Sequence, residues 1–281
     1  MKYDLAITYL SFEKIRNWFS SGKSVVLVSV ENTKGSAPRE KGAVMAVTTD
    51  AITGTIGGGQ LEWLAMDQAR KMIADTGKNF EMDVPLGPEI GQCCGGRVSL
   101  KFQFVNTTEL ENIEKIAVQS LRDLPEVFIF GAGHTGLALA ALMARMPTHS
   151  VLVDTRAEAL ILADDAATTK HIAMPEMAVR EAKPGSAFVT MTHEHSLDFL
   201  ITAEALKRGD AAYCGMIGSA TKRAVFLNWL DENGYDRLIA ERLVCPIGGD
   251  KVRDKRPEII AAMTMVEILT AIHTAAIGEI K

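Results

Sequence analysis

Apolar residues recur along this chain with two different rhythms, and the change of rhythm predicts two kinds of domain. Leu5, Tyr9, Phe12, Ile15 and Phe19 fall near helical spacing and predict a helix over residues 5–19, stopped by Ser20-Ser21-Gly22. Short β-branched runs follow at 24–30, 43–48, 52–56, 79–84 and 97–105, each read as a strand. A polar turn at 31–39, a helix at 60–74 and a glycine-rich loop at 85–96 separate them. Successive strands with only one or two helices predict a compact α+β domain over residues 1–106.

Residues 107–121 form an amphipathic pattern with Leu110, Ile113, Ala117 and Leu121 on one face, and Thr108 followed by Glu111 offers a capping box at its start. We read residues 107–125 as a connector helix that ends at Pro125. Beyond it, strands at 127–130, 150–153, 187–192, 212–217 and 243–244 alternate with helices at 135–145, 196–208 and 221–233. That alternation predicts a Rossmann-like parallel sheet with helices on both faces over residues 126–281. A last helix, 257–277, carries Pro257 at its first position. The fold class is therefore α/β: an N-terminal α+β domain followed by a Rossmann-like domain.

Composition narrows the function classes. The chain has 281 residues, 47% of them apolar, with 30 Lys and Arg against 35 Asp and Glu, giving a net charge of −5. A polyanion needs a concentrated basic face, so no nucleic acid partner is expected. Four cysteines, two of them the neighbours Cys93 and Cys94, make neither a disulfide framework nor a zinc knuckle. The start lacks the apolar core of a signal peptide, and the longest apolar run, 137–144, is far short of a bilayer span. These features predict a soluble, cytoplasmic protein with no membrane partner.

Candidate chemistry sits in loops. Gly131-Ala132-Gly133-His134-Thr135-Gly136 follows an apolar strand and opens a helix, and Asp154 ends the next strand 23 residues after Gly131. In that context the first glycine makes the tight turn, the second admits a pyrophosphate and the third packs helix on strand, while the helix N-terminus offers N–H groups to an anion. Arg156 stands where it could meet a 2′-phosphate. In the first domain, Ser36 and Arg39 can donate to an anion, and Gly57-Gly58-Gly59 opens a helix in the same way. Gln92-Cys93-Cys94-Gly95-Gly96-Arg97 joins soft thiols to bare backbone and a cation. Any one of these loops reads as a plain turn; three together suit a phosphorylated ligand bearing a soft metal or sulfur. His193 and His195, with Asp198, could bind a metal, but the spacing departs from the His-x-His-x-Asp-His pattern of metallo-hydrolases. The other reading has Ser196 or Asp198 capping the next helix while the histidines line a pocket.

Taken together these segments resemble the xanthine dehydrogenase accessory proteins of the XdhC/CoxI type. The resemblance rests on Glu31 with Gly35-Ser36-Ala37-Pro38-Arg39, Gly57-Gly58-Gly59-Gln60-Leu61-Glu62 and Gly91-Gln92-Cys93-Cys94-Gly95-Gly96 in the first half. In the second half it rests on Gly131-Ala132-Gly133-His134, Asp154-Thr155-Arg156, Met191-Thr192-His193, Gly218-Ser219 with Lys222-Arg223, and Cys245-Pro246-Ile247-Gly248. The departure is Gly249-Asp250, where an apolar residue and a glycine-rich stretch are expected.

The resemblance implies a chaperone, not a catalyst, that binds the molybdenum cofactor (molybdopterin), protects it and supports its sulfuration by a cysteine desulfurase. It implies delivery to xanthine dehydrogenase or a related molybdoenzyme, and a homodimer. The cofactor-binding residues it implies are Ser36, Arg39, Gly57, Gly58, Gly59, Glu62, Cys93, Cys94, Gly95, Gly96, Gly131, Gly133, His134, Gly136, Asp154 and His193; either Cys93 or Cys94 could touch the molybdenum, with Cys94 the candidate contact. The competing classes are an NAD(P)-dependent oxidoreductase on the second domain, the metal-dependent hydrolase, and a scaffold without ligand.

Overall fold

The computed structural model describes residues 10–37, 39, 41–57, 59–87, 95–249 and 252–278. The chain divides into two compact units, the first ending at Asp123 and the second beginning at Leu124.

In the first unit, strands β1 (Val26–Lys34), β2 (Val44–Val47), β3 (Ile52–Gly54), β4 (Phe80–Pro85) and β5 (Arg97–Phe104) form one antiparallel sheet in the order β3-β2-β1-β5-β4. Alternation along β1 sends Val26, Val28 and Val30 to one face, where helix α2 (Gly59–Ala74) brings Leu61, Ala65, Ala69 and Met72. Leu27, Val44 and Ala46 face the other way, onto α1 (Phe12–Ser20) and α3 (Thr107–Arg122) through Ile15, Leu110 and Ala117. An Arg16–Glu114 ion pair joins these two helices, so the segment read as a connector packs within the first unit.

Several sequence expectations need correction here. The first helix begins at Phe12, with the Ser11 hydroxyl accepting the Lys14 N–H; the turns expected at Leu5 and Tyr9 lie outside the described residues. Strand β1 runs on through Glu31–Lys34, which had read as a turn, because a bulge between Val30 and Asn32 lets the polar end keep pairing with β5. The third strand stops at Gly54, and Ile56 is buried in the turn beyond it. The capping box of α3 is Asn106 with Glu109, not Thr108 with Glu111: each side chain accepts the other's backbone N–H at 2.9 Å.

In the second unit, strands β6 (Glu126–Phe130), β7 (His149–Asp154), β8 (Thr168–His171), β9 (Ala187–Thr190), β10 (Tyr213–Met216) and β11 (Leu243–Val244) are all parallel, in the order β11-β10-β9-β6-β7-β8. This is the doubly wound arrangement, whose switch point lies between β6 and β9. The two faces of the sheet carry separate cores. Phe128, Phe130, Phe188 and Met216 meet helices α6 (Glu176–Glu181), α7 (His195–Lys207) and α8 (Ala220–Glu232). Val127, Ile129, Leu152 and Val189 meet α4 (His134–Met143) and α9 (Pro257–Gly278). Burial on both faces explains why the inner strands β6 and β9 are almost continuously apolar in sequence.

Helix α5 (Ala157–Leu160), β8, α6 and the 3₁₀ turn Arg237–Arg242 were not visible in the sequence pattern. All four are short, and the edge strand β8 is polar and exposed throughout. Among the described residues one helical stretch, Pro257–Ala275 of α9, is long and apolar enough to cross a membrane by length and composition. A search for unbroken apolar runs misses it because Glu258, Thr264 and Glu267 interrupt the pattern. In the structure Ala261 and Ile268 share a buried core with Leu139 and Met143 of α4, and Glu267 bonds to Tyr213 of β10.

Candidate functional site

The loops at the carboxyl ends of the parallel strands build the candidate site of the second unit. After β6 the chain turns at Gly131, whose φ is +113°. A Cβ there would lie 2.3 Å from the Met191 carbonyl oxygen at the end of β9, so the two loops flanking the switch point touch only because the residue is glycine. Gly136 is equally constrained, since its Cβ would meet the Gly131 carbonyl oxygen at 1.8 Å. Gly133 differs. Its backbone is extended at φ −79° and ψ −178°, and a Cβ would meet nothing within 4 Å. Neither packing nor conformation asks for glycine there, and the space left is open. Gly133 is also the N-cap of α4 and offers no side chain to the first-turn N–H groups. His134, the first helical residue, is exposed.

Asp154 is engaged within the protein. Its Oδ2 accepts the Ala132 N–H at 2.7 Å and its Oδ1 the Arg156 N–H at 2.9 Å, while the Arg156 guanidinium grips both oxygens at 3.1 Å. The carboxylate is buried, and burial alone would raise its pKa. The Arg156 side chain and the two backbone donors outweigh that and hold it below its ordinary 3.8. Asp154 thus ties the glycine-rich turn to the end of β7, and its oxygens are committed before any ribose could reach them.

The metal reading of the 193–198 segment is corrected in the same way. Asp198 is fully buried; Oδ1 accepts the Thr192 N–H at 2.8 Å and Oδ2 lies 2.5 Å from Lys222 Nζ. Neither Ser196 nor Asp198 caps α7, whose N-cap is Glu194 without a side-chain bond. His193 and His195 are exposed, and no group of three metal-ligating side chains exists among the described residues.

Sequence reasoning gave no site role to Lys222 or Cys245. Gly218-Ser219 and Lys222-Arg223 were visible as a spaced motif, but nothing in the sequence paired Lys222 with Asp198. The Ser219 hydroxyl accepts the Lys222 N–H as N-cap of α8. The half-buried Cys245 directs its thiol at the Ser219 carbonyl, 4.0 Å away. Burial pushes that thiol up, and Lys222 and Arg223 pull against it. Cys214, inside the sheet, is pushed up to about 12 by burial, as an inert core thiol should be.

In the first unit, two of the three predicted loops meet. Ser36 bridges Gly95, and a Cβ on Gly96 would lie 2.2 Å from the Ser36 carbonyl oxygen. Leu86 and Gly95–Gly96 exchange backbone hydrogen bonds at 2.8 Å and close the base of the loop that carries the thiols. Cys93, Cys94 and Gly58 lie outside the described residues. Ala37, Ile56, Leu61 and Leu86 from the three loop regions share one core. Ser36, Arg39, Gly59 and Gly95 are exposed, whereas Gly57 is buried. Glu62 turns inward: its Oε1 accepts the Thr55 hydroxyl and the Ile56 N–H, the latter at 3.2 Å, and so fixes the approach to Gly57.

The second unit is a doubly wound parallel sheet with a glycine-rich first turn, and the first is an antiparallel sheet with exposed glycines in its loops. The model of the XdhC Rossmann domain matches residues 127–268, half of the chain, and that of the XdhC and CoxI family matches residues 18–82. The chain belongs to the XdhC and CoxI family.

Two relatives come from Escherichia coli (strain K12). The uncharacterized protein YqeB is 24% identical over 259 residues, which are 90% of this chain and 44% of YqeB. The molybdenum cofactor insertion chaperone PaoD is 26% identical over 267 residues, 88% of this chain and 83% of PaoD. The chain thus spans less than half the length of the first and most of the second. A crystal structure of a Bacillus halodurans protein described as a xanthine dehydrogenase shares the fold, with a TM-score of 0.74 at 17% identity, covering 94% of this chain and 96% of the other.

Proposed function

We propose that this protein is a chaperone of the molybdenum cofactor. It receives the cofactor as cargo, shields it, supports its sulfuration by a cysteine desulfurase and hands it to xanthine dehydrogenase or a related molybdenum hydroxylase. The observation that carries this reading is the likeness to PaoD across both units, not through the common Rossmann turn alone. The local geometry is compatible. Open space at Gly133, at the start of a helix whose N-cap has no side chain, suits a phosphate. Exposed Ser36 and Gly59 offer a second set of donors, and Cys93 or Cys94 would supply the soft ligand for molybdenum. A homodimer in the cytoplasm is part of the same proposal. The oxidoreductase alternative is disfavoured, because Asp154, which would have to bind a ribose diol, already has both oxygens engaged.

The test is reactivation of a purified cofactor-free molybdenum hydroxylase by the loaded chain. Activity should appear faster and to a higher final level than with the same amount of free cofactor, and Cys94→Ala should remove that advantage. Equal reactivation with and without the chain would overturn the proposal.

A further inference from the structure

Lys222 occupies an awkward place. It stands in the first turn of α8, where the exposed N–H groups of a helix disfavour a cation. Its side chain lies over Gly218, so closely that a Cβ on Gly218 would be 2.7 Å from Lys222 Cδ. What this arrangement achieves is the ion pair with Asp198, in which the carboxylate is wholly buried and the lysine side chain 10% exposed. A buried pair of this kind seldom adds net stability over apolar residues of the same shape; its better-attested use is to fix one arrangement against others.

The arrangement it fixes is visible. The second oxygen of Asp198 accepts the Thr192 N–H at 2.8 Å. The Thr192 hydroxyl accepts the Glu194 N–H at 3.2 Å and donates to the Glu194 carbonyl at 2.9 Å. A chain of polar contacts therefore runs from α8 through α7 into the turn after β9. That turn carries exposed His193, one residue beyond Thr192 and two beyond the Met191 carbonyl that Gly131 closely approaches.

We propose that Asp198 and Lys222 are positioning residues, a latch that holds the 192–194 turn so that His193 presents its imidazole at the switch-point crevice to the polar, anionic cargo. The latch acts on retention through His193, and in this it rests on the chaperone reading. Gly218 belongs to the device, because any side chain there would displace Lys222.

The experiment uses the full chain and two readouts. Amide exchange at residues 192–194 and cofactor retention are measured in the wild type, Lys222→Met, Lys222→Arg, His193→Ala and the double variant Lys222→Met/His193→Ala. Losing one charged hydrogen bond should speed exchange in the turn about tenfold or more and weaken retention to a similar degree, with Lys222→Arg restoring both to within about threefold. In the His193→Ala background, Lys222→Met should cause no further loss of retention. Unchanged exchange, or an equal loss in both backgrounds, overturns the latch. Should Lys222→Met not fold, Asp198→Leu/Lys222→Met removes both charges together with the acceptor for Thr192 and carries the same expectations. If the wild type retains no cofactor, the chaperone reading fails, and the exchange readout still decides whether the pair holds the turn.

Discussion

Three glycines of one fingerprint carry three separable duties, and substitution separates them. Gly136→Ala places a methyl inside van der Waals contact of the Gly131 carbonyl, which a packed strand–helix junction cannot absorb. It should destabilise the second unit by about 3 kcal/mol, read by denaturant unfolding. Gly133→Ala meets no atom and an allowed backbone, so stability should fall only by the cost of an alanine N-cap, about 1 kcal/mol or less, while retention of a phosphorylated ligand falls. A large stability loss at Gly133 would contradict the assignment of that position to ligand space. The sequence spacing alone could place these glycines but not rank them, because their difference lies in contacts to Met191 and Gly131. Asp154 teaches the same lesson. Its position was legible from the spacing, whereas its partners were not. Since its folded pKa is depressed, it stabilises the fold above the ordinary carboxylate range, and that stability is lost as pH falls through the lowered value. Asp154→Asn should therefore destabilise the protein at pH 7 by about 1–3 kcal/mol and flatten the acid limb of a stability–pH profile. An unchanged acid limb would remove the carboxylate from the turn's support.

Elements with a long apolar period were the most legible. The helices at α2, α7 and α9 and the strands β6, β7 and β9 follow from burial, which writes itself into sequence over many residues. The elements between Asp154 and Ala187 were not legible. They are short, and β8 is an exposed edge whose pairing with β7 is made by backbone groups that any sequence supplies. Caps also escape a pattern search when two candidates lie two residues apart. Thr108 and Glu111 match the capping-box spacing, yet the helix begins earlier because Asn106 and Glu109 satisfy its first donors. Asn106→Ala should cost about 1 kcal/mol in thermal unfolding, and Thr108→Ala close to nothing. The reverse order would contradict the assigned helix start.

At the scale of the molecule, each unit has cores of its own: two lie against the faces of the antiparallel sheet and two against those of the parallel sheet. A lesion such as Gly136→Ala should therefore lower amide protection in the second unit far more than in β1 and β5 of the first. The family's motifs are divided between the same two units, and this division made the family legible where the Rossmann turn alone would not have. The most direct test of that function is anaerobic titration of the purified protein with molybdenum cofactor, with NAD and NADP run in parallel. Molybdenum and pterin retained together through gel filtration, near one of each per chain and with neither nicotinamide bound, is the predicted result. Saturable binding of a nicotinamide dinucleotide without retention of the cofactor would contradict it.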